Sequence, residues 1–120
     1  MEKKRFIIEI GTGIDLHGED VTEAACRAVR NAISNSCLCG LQEVLELKSA
    51  EQVEVEILIS SPKPDEVDLD QVAELVPMKC TSINSVFGGM KVRGLMVPRF
   101  APDRDQIVVA NAAVTVFINQ

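Results

Sequence analysis

The chain has 120 residues, a net charge of −6 and a pI near 4.7. This length suits one ordinary hydrophobic core, so we predict a single domain, 1–120. Because nucleic acids and anionic membrane surfaces are bound through Lys and Arg, the acidic charge disfavours both as partners. No apolar run is long enough for a membrane span or a secretory signal, which predicts a cytoplasmic protein.

The first predicted strand leads into a glycine-rich loop and then a long helix. Residues 5–10 alternate, with Phe6, Ile8 and Ile10 on one face, and we expect Gly11 and Gly13 to end the strand. The helix begins at Asp20, a typical N-cap residue, and ends near residue 34. Its apolar positions recur at helical spacing and are mostly small: Val21, Ala24, Ala25, Ala28, Val29, Ala32 and Ile33.

The remaining segments predict a second helix and three further strands. Residues 53–59 alternate as a strand, with Glu54 and Glu56 on its polar face, where a solvated surface is the simple interpretation and a metal pair the alternative. A short helix follows over 68–76, a strand over 79–86, and a turn with a short ribbon over 87–94. The last strand covers 107–119.

The last strand is apolar on both faces, which predicts self-association. Ile107, Val109 and Ala113 lie on one face, and the other face carries Val108, Ala110, Ala112, Val114 and Val116. The element order β-α-β-α-β-β predicts an α+β two-layer sandwich, in which two helices cover one face of a four-stranded sheet. The second face needs another cover, and a further copy of the chain is the simplest source. We therefore predict a homo-oligomer.

The four cysteines predict no metal centre and no disulfide framework. Cys26, Cys37, Cys39 and Cys80 include no CxxC pair. In a cytoplasmic protein we expect reduced thiols that act as small buried hydrophobic residues.

Two stretches resemble the C-terminal domain of FtsZ, the tubulin-like division GTPase of bacteria. The first comprises Gly11-x-Gly13, Gly18-Glu19-Asp20 and the alanines of the helix through Ser34. The second is Ala113-Val114-Thr115-Val116-Phe117-Ile118, which is similar to the final strand of that domain. The resemblance implies a chorismate-mutase-like sandwich with a mixed sheet. It does not imply GTP hydrolysis, because this sequence contains no tubulin-type nucleotide loop.

A second resemblance covers the loop itself. Residues 11–18 fit GxGxDxHG, the signature of a small family of conserved bacterial and plant proteins without an assigned function. Chain length and the stretch Ala110-Asn111-Ala112-Ala113-Val114 are also similar to that family. This resemblance implies a fold and a place to look for a site, but no reaction.

The loop contains the candidate site residues. A glycine-rich turn before a helix can bind anions, but Leu16 stands where a dinucleotide motif has its third glycine, and Glu19 adds negative charge, so no nucleotide is expected. Asp15 and His17 are the candidates for catalysis, with Asp15 orienting His17 as a general base, or for binding a divalent metal together. The proposed ligand-binding set is Gly11, Gly13, Asp15, His17, Gly18 and Asp20.

Three functional classes remain open from sequence. The chain is an oligomeric enzyme that uses Asp15 and His17 on a small molecule, a ligand- or metal-binding protein without chemistry, or a non-catalytic assembly module. A purely structural loop, in which Asp15 and His17 cap backbone groups and the glycines serve the turn, is the alternative to any site. Asn111 and Thr115 share one face of the last strand, where they either reach a ligand or serve as ordinary polar groups of the sheet.

Overall fold

The computed structural model describes residues 3–47 and 49–119 and has an α+β architecture. The five strands are β1 (Lys3–Asp15), β2 (Val53–Ser61), β3 (Lys79–Phe87), β4 (Met90–Arg93) and β5 (Gln106–Asn119). The helices are α1 (Val21–Ile33), α2 (Gly40–Glu43) and α3 (Leu69–Ala73), with short 3-10 turns at Ala50–Gln52 and Pro64–Glu66. The α+β sandwich with a mixed sheet is therefore confirmed, and the ribbon expected after β3 supplies a fifth strand.

Among the described residues the sheet has the strand order β1-β5-β2-β3, and only the β2–β3 pair is parallel. Strands β2 and β3 are consecutive along the chain, and parallel neighbours need a crossover connection between them. Here that connection contains α3. The helices pack on one face, where they bury alternate residues of the central strands. On β5 these buried residues are Val108, Ala110, Ala112, Val114, Val116 and Ile118, and on β2 they are Val53, Val55, Ile57 and Ile59.

A glycine pair moves the chain from β3 to a position next to β5. Gly88 donates its amide to the Ser61 carbonyl at the end of β2, and Gly89 adopts a left-handed φ of 66°. A Cβ atom on Gly89 would lie 2.1 Å from the Val109 carbonyl oxygen. Strand β4 pairs with β5 just beyond the last residue of β2. The chain can enter β4 only because neither Gly88 nor Gly89 has a side chain.

Helix α1 begins and ends as its sequence predicts. The Asp20 side chain accepts a hydrogen bond from the Glu23 amide at 3.0 Å, and the helix ends at Ile33 with Ser34 as the C-cap. The small apolar residues of its stripe are almost fully buried against the sheet.

Two predictions about β1 are wrong. The strand does not end at Gly11 and Gly13 but continues to Asp15, pairing with β5 throughout. Phe6 does not share a face with Ile8 and Ile10, because a register shift between Arg5 and Ile7 turns Phe6 towards the core, while Ile8 and Ile10 stay exposed.

The cysteine prediction holds for part of the set. Cys26 is buried in α1 and Cys80 is half-buried, but Cys37 and Cys39 are exposed, and all four are free thiols. In this segment Leu38 packs against the core. The flanking thiols at Cys37 and Cys39 are left on the surface.

Candidate functional site

Gly11 and Gly13 are the points at which β1 touches α1. A Cβ atom on Gly11 would lie 2.3 Å from the Ala28 carbonyl oxygen, and one on Gly13 would lie 2.0 Å from that of Ala24. Both glycines are buried and lie opposite alanines of β5, Ala112 and Ala110 respectively. These glycines therefore allow a close approach of helix to strand, and the small-residue stripe of α1 is the matching surface.

Asp15 holds the loop between β1 and α1 in place. Its Oδ2 atom accepts a hydrogen bond of 2.9 Å from the Asp20 amide, and its Oδ1 atom lies 3.5 Å from the Arg27 guanidinium. Gly18 packs beside this carboxylate, since a Cβ there would lie 2.9 Å from Oδ2. The Asp15 carboxylate thus fixes the loop and, through Arg27, ties it to the helix.

Arg27 of α1 makes three contacts, two of which hold the end of β1 where the loop begins. Besides Asp15, its guanidinium donates to the Ile14 carbonyl oxygen at 2.6 Å and pairs with Glu23 at 3.1 Å, one helical turn earlier. These contacts match the structural interpretation of the motif, in which the carboxylate caps backbone groups.

His17 differs from Asp15 because one of its polar atoms has no partner. The imidazole ring packs against Phe100, with centroids 5.1 Å apart and planes tilted by 42°. Its Nδ1 atom is buried and has no hydrogen-bond partner among the described residues. Phe100 belongs to the segment between β4 and β5, and nothing in the sequence near His17 indicates this contact.

The loop backbone also contains an unusual conformation. Glu19 adopts a φ of 51°, in the left-handed region that a residue with a side chain rarely occupies. Such conformations cost about 1–3 kcal/mol and are frequent near functional sites. Within residues 3–47 and 49–119, no group of three or more His, Cys, Asp or Glu side chains is arranged to hold a metal ion.

The second candidate region is the outer sheet face, the side of the sheet turned away from the helices. The strand registers align its residues in rows across β1, β5 and β2. One row contains Ile10, Ala113 and Leu58, and another contains Ile14, Val109 and, from β4, Met90. Ile10 is 68% exposed and Ile8 is 55% exposed. The face is therefore apolar across several strands.

A polar row between these apolar rows satisfies its own hydrogen bonds. The Thr12 hydroxyl donates to Asn111 Oδ1 at 3.0 Å, and Asn111 Nδ2 donates to the Ser60 hydroxyl at 3.4 Å. Of the two roles left open for Asn111, contact with a ligand or an ordinary polar group of the sheet, these hydrogen bonds fit the second. Because these polar groups bond to one another, they would keep these hydrogen bonds if another molecule covered the face.

One lysine and two glutamates lie at one end of the outer sheet face and pair with one another. Lys3 Nζ lies 2.7 Å from Glu56 and 3.1 Å from Glu54, and 4.2 Å from the centre of the Phe117 ring. The hydrogen bonds to Glu56 and Glu54 raise the pKa of Lys3 above its ordinary value. Glu54 and Glu56 are therefore occupied by a lysine, which accounts for them without a metal.

Sequence reasoning missed that β1 contributes much of this face. The sequence pattern that could have predicted it is the alternation Ile8, Ile10, Thr12, Ile14. This pattern is apparent only if Gly11 and Gly13 are taken as interior positions of the strand. No helix among the described residues is long and apolar enough to cross a membrane.

Comparisons with known proteins agree with this fold. The model of a family described as "Conserved hypothetical protein (Lin0512_fam)" matches residues 5–116. A crystal structure of an FtsZ-like protein of unknown function from Nostoc punctiforme is 39% identical to this chain, with a TM-score of 0.87, and the match covers 100% of this chain and 99% of that one. No curated protein matches. The two resemblances inferred from the sequence, to an uncharacterised family and to an FtsZ-like fold, are confirmed.

Proposed function

This chain belongs to the Lin0512_fam family of conserved hypothetical proteins, and we propose that it is a self-assembling module whose copies pack through the outer sheet face. The observation that carries the proposal is the exposure of Ile8, Ile10, Ile14 and Leu58 on one continuous face. Monomeric proteins rarely expose apolar patches of this kind.

A second copy of the chain is the occupant that the charges favour. The chain carries a net charge of −6, but Lys3 offsets one of the two glutamate charges at the end of this face and leaves one negative charge there. Two copies can therefore approach face to face with less repulsion than two unpaired glutamates would cause. An apolar centre, self-satisfied polar groups and a charged rim are also the usual anatomy of a subunit interface.

The solved relative from Nostoc punctiforme is described as FtsZ-like, and this description supports an assembly role. Assembly does not require the motif loop to react with anything. We further propose a cytoplasmic location, which is consistent with four thiols that form no disulfide among the described residues.

The test is to place a charge on the outer sheet face. In an Ile10→Glu variant the new carboxylate costs little in an isolated copy, because Ile10 is largely exposed. In a packed interface it would be buried without a partner, which costs several kcal/mol. We expect light scattering to give a smaller mass for this variant than for the wild type at equal concentration.

Val44→Glu is the matched control. Val44 is 76% exposed and follows α2, outside the sheet, so the same chemical change there should leave the mass unchanged. An Ile10→Glu protein that keeps the wild-type oligomeric mass would overturn the proposed interface.

A small-molecule site at the loop is the second candidate function, and His17 is the observation that favours it. Its buried, unpartnered Nδ1 next to Phe100 leaves one hydrogen bond for a ligand. Asp15 is already engaged by Asp20 and Arg27, so we place His17 and not Asp15 at the centre of this site. A divalent metal is less well supported than a small molecule, because Asp15 would have to give up these contacts to bind it.

The loop site is tested by NMR titration of the His17 ring with divalent metals and with small anionic metabolites. A ligand that shifts the His17 signals in the wild type, and loses affinity in a Phe100→Ala variant, would support the site. Titrations in which no compound shifts these signals would leave the motif with its structural role alone.

A further inference from the structure

A cavity of about 500 Å³ lies at the opposite end of α1 from the motif loop. Its walls are mostly apolar and include Ile33, Leu38, Leu41, Val53, Met78 and Val114. A volume of this size, with few polar groups, is typical of small-molecule pockets. The segment after α1, which includes α2, forms one side of it.

One carboxylate interrupts this apolar lining. Glu9 lies on the inner face of β1, lines the cavity and is only 8% exposed. Its Oε2 atom accepts a hydrogen bond from the Ser36 hydroxyl. A buried carboxylate costs free energy unless donors surround it, so a cationic donor that entered the cavity would stabilise this side chain.

We propose that the cavity binds a small amphipathic cation, namely a primary amine that carries an aliphatic or aryl group. The ammonium group would donate to the Glu9 carboxylate, and the hydrocarbon body would pack against the apolar walls. A carboxylate ligand is disfavoured by repulsion from Glu9, and a neutral alcohol would gain only an uncharged donor. This site is separate from both the outer sheet face and the motif loop, so it stands or falls independently of them.

The experiment is a calorimetric titration of the full chain with n-hexylamine, n-hexanol and hexanoate, which share one hydrocarbon length. We expect the amine to bind most tightly. In Glu9→Gln the amine should bind about tenfold more weakly or worse, the loss of one charge-assisted hydrogen bond, while hexanol changes little. Glu74→Gln removes the same charge from an exposed position and should leave the amine affinity unchanged.

A second variant guards against misfolding of the first. Ala50 is exposed and lines the cavity, so Ala50→Phe fills the space without disturbing the core, and it should abolish binding of the amine. Equal affinity for hexylamine and hexanol, or amine binding that survives either Glu9→Gln or Ala50→Phe, would overturn the proposal. Absence of amine binding to the wild type would do the same.

Discussion

A side chain at Gly13 cannot coexist with the present position of Ala24, because a Cβ atom would lie 2.0 Å from the Ala24 carbonyl oxygen. The contact is between two backbones, and neither can move without moving its strand or helix. The GxG part of the motif is thus explained by packing between β1 and α1. No ligand is needed to account for it.

We predict that Gly13→Ala destabilises the protein. The added methyl group must push α1 away from the sheet, and overpacking of this kind costs about 1–3 kcal/mol or more. Urea unfolding would measure the loss. Gly40→Ala is the control, because the nearest atom to its new Cβ, in Phe6, lies at an ordinary 3.6 Å. Equal stability of Gly13→Ala and the wild type would contradict the packing role.

Asp15→Ala should lower the stability of the protein whether or not metal is present. The substitution leaves the Asp20 amide without its acceptor and removes one partner of Arg27, for a loss of about 1–3 kcal/mol. Thermal unfolding with and without a chelator would measure it, with Asp65→Ala as an exposed control. A wild-type melting temperature that falls to the mutant value on chelation would instead indicate a metal.

The free energy of unfolding should decline at alkaline pH, because two cysteine thiols ionise more readily in the unfolded chain than in the folded protein. Burial raises the pKa of the Cys26 thiol above its ordinary 9.0, and burial also raises that of Cys80. Above pH 9 the unfolded chain releases these protons first, so each thiol lowers the free energy of unfolding by up to about 1.4 kcal/mol per pH unit. Urea unfolding at about pH 8 and about pH 10 would show this.

Replacing the buried thiol supplies the control for that pH dependence. Cys26→Ala should show a smaller decline between the two pH values than the wild type, whatever its stability at the lower one. A Cys26→Ala protein with the full wild-type decline would mean that other groups cause it. Lys3 is not expected to contribute between these two pH values, since its raised pKa gives stability that is lost only above about pH 10.5.

Thiol reagents should distinguish the cysteines by position. Cys37 and Cys39 are exposed and should react with N-ethylmaleimide in the folded protein, whereas Cys26 should react only after unfolding. Peptide mass spectrometry after brief labelling would identify the modified sites, with a denatured sample as the control. Labelling of Cys26 as fast as Cys37 in the folded protein would contradict its burial.

Much of the fold could be predicted because local patterns and tertiary structure agree. The Asp20 cap and the alanine stripe predict α1 correctly, and the alternation of β2 and β5 predicts which of their residues face the helices. The error at Gly11 and Gly13 has a clear cause. Glycine usually marks a break in a strand, but here the need for close contact with α1 prevailed, which local sequence does not reveal.

The site was harder to predict, since its contacts join residues that are distant in sequence. Asp15 and His17 were identified from one motif, yet one bonds within the loop and the other packs against Phe100, more than eighty residues later. Glu9 was visible as a lone charge between isoleucines, but only the tertiary structure places it in a cavity. The position of His17 as a ligand-binding residue stays a prediction.

The most direct test of the proposed assembly is sedimentation equilibrium of the wild-type chain over a wide range of concentrations. One copy has a mass of 13.1 kDa. If the outer sheet face is a subunit interface, the measured mass will be a whole-number multiple of that value at high concentration and will fall towards it on dilution or stay constant. A mass of one copy at every concentration would contradict the proposed assembly.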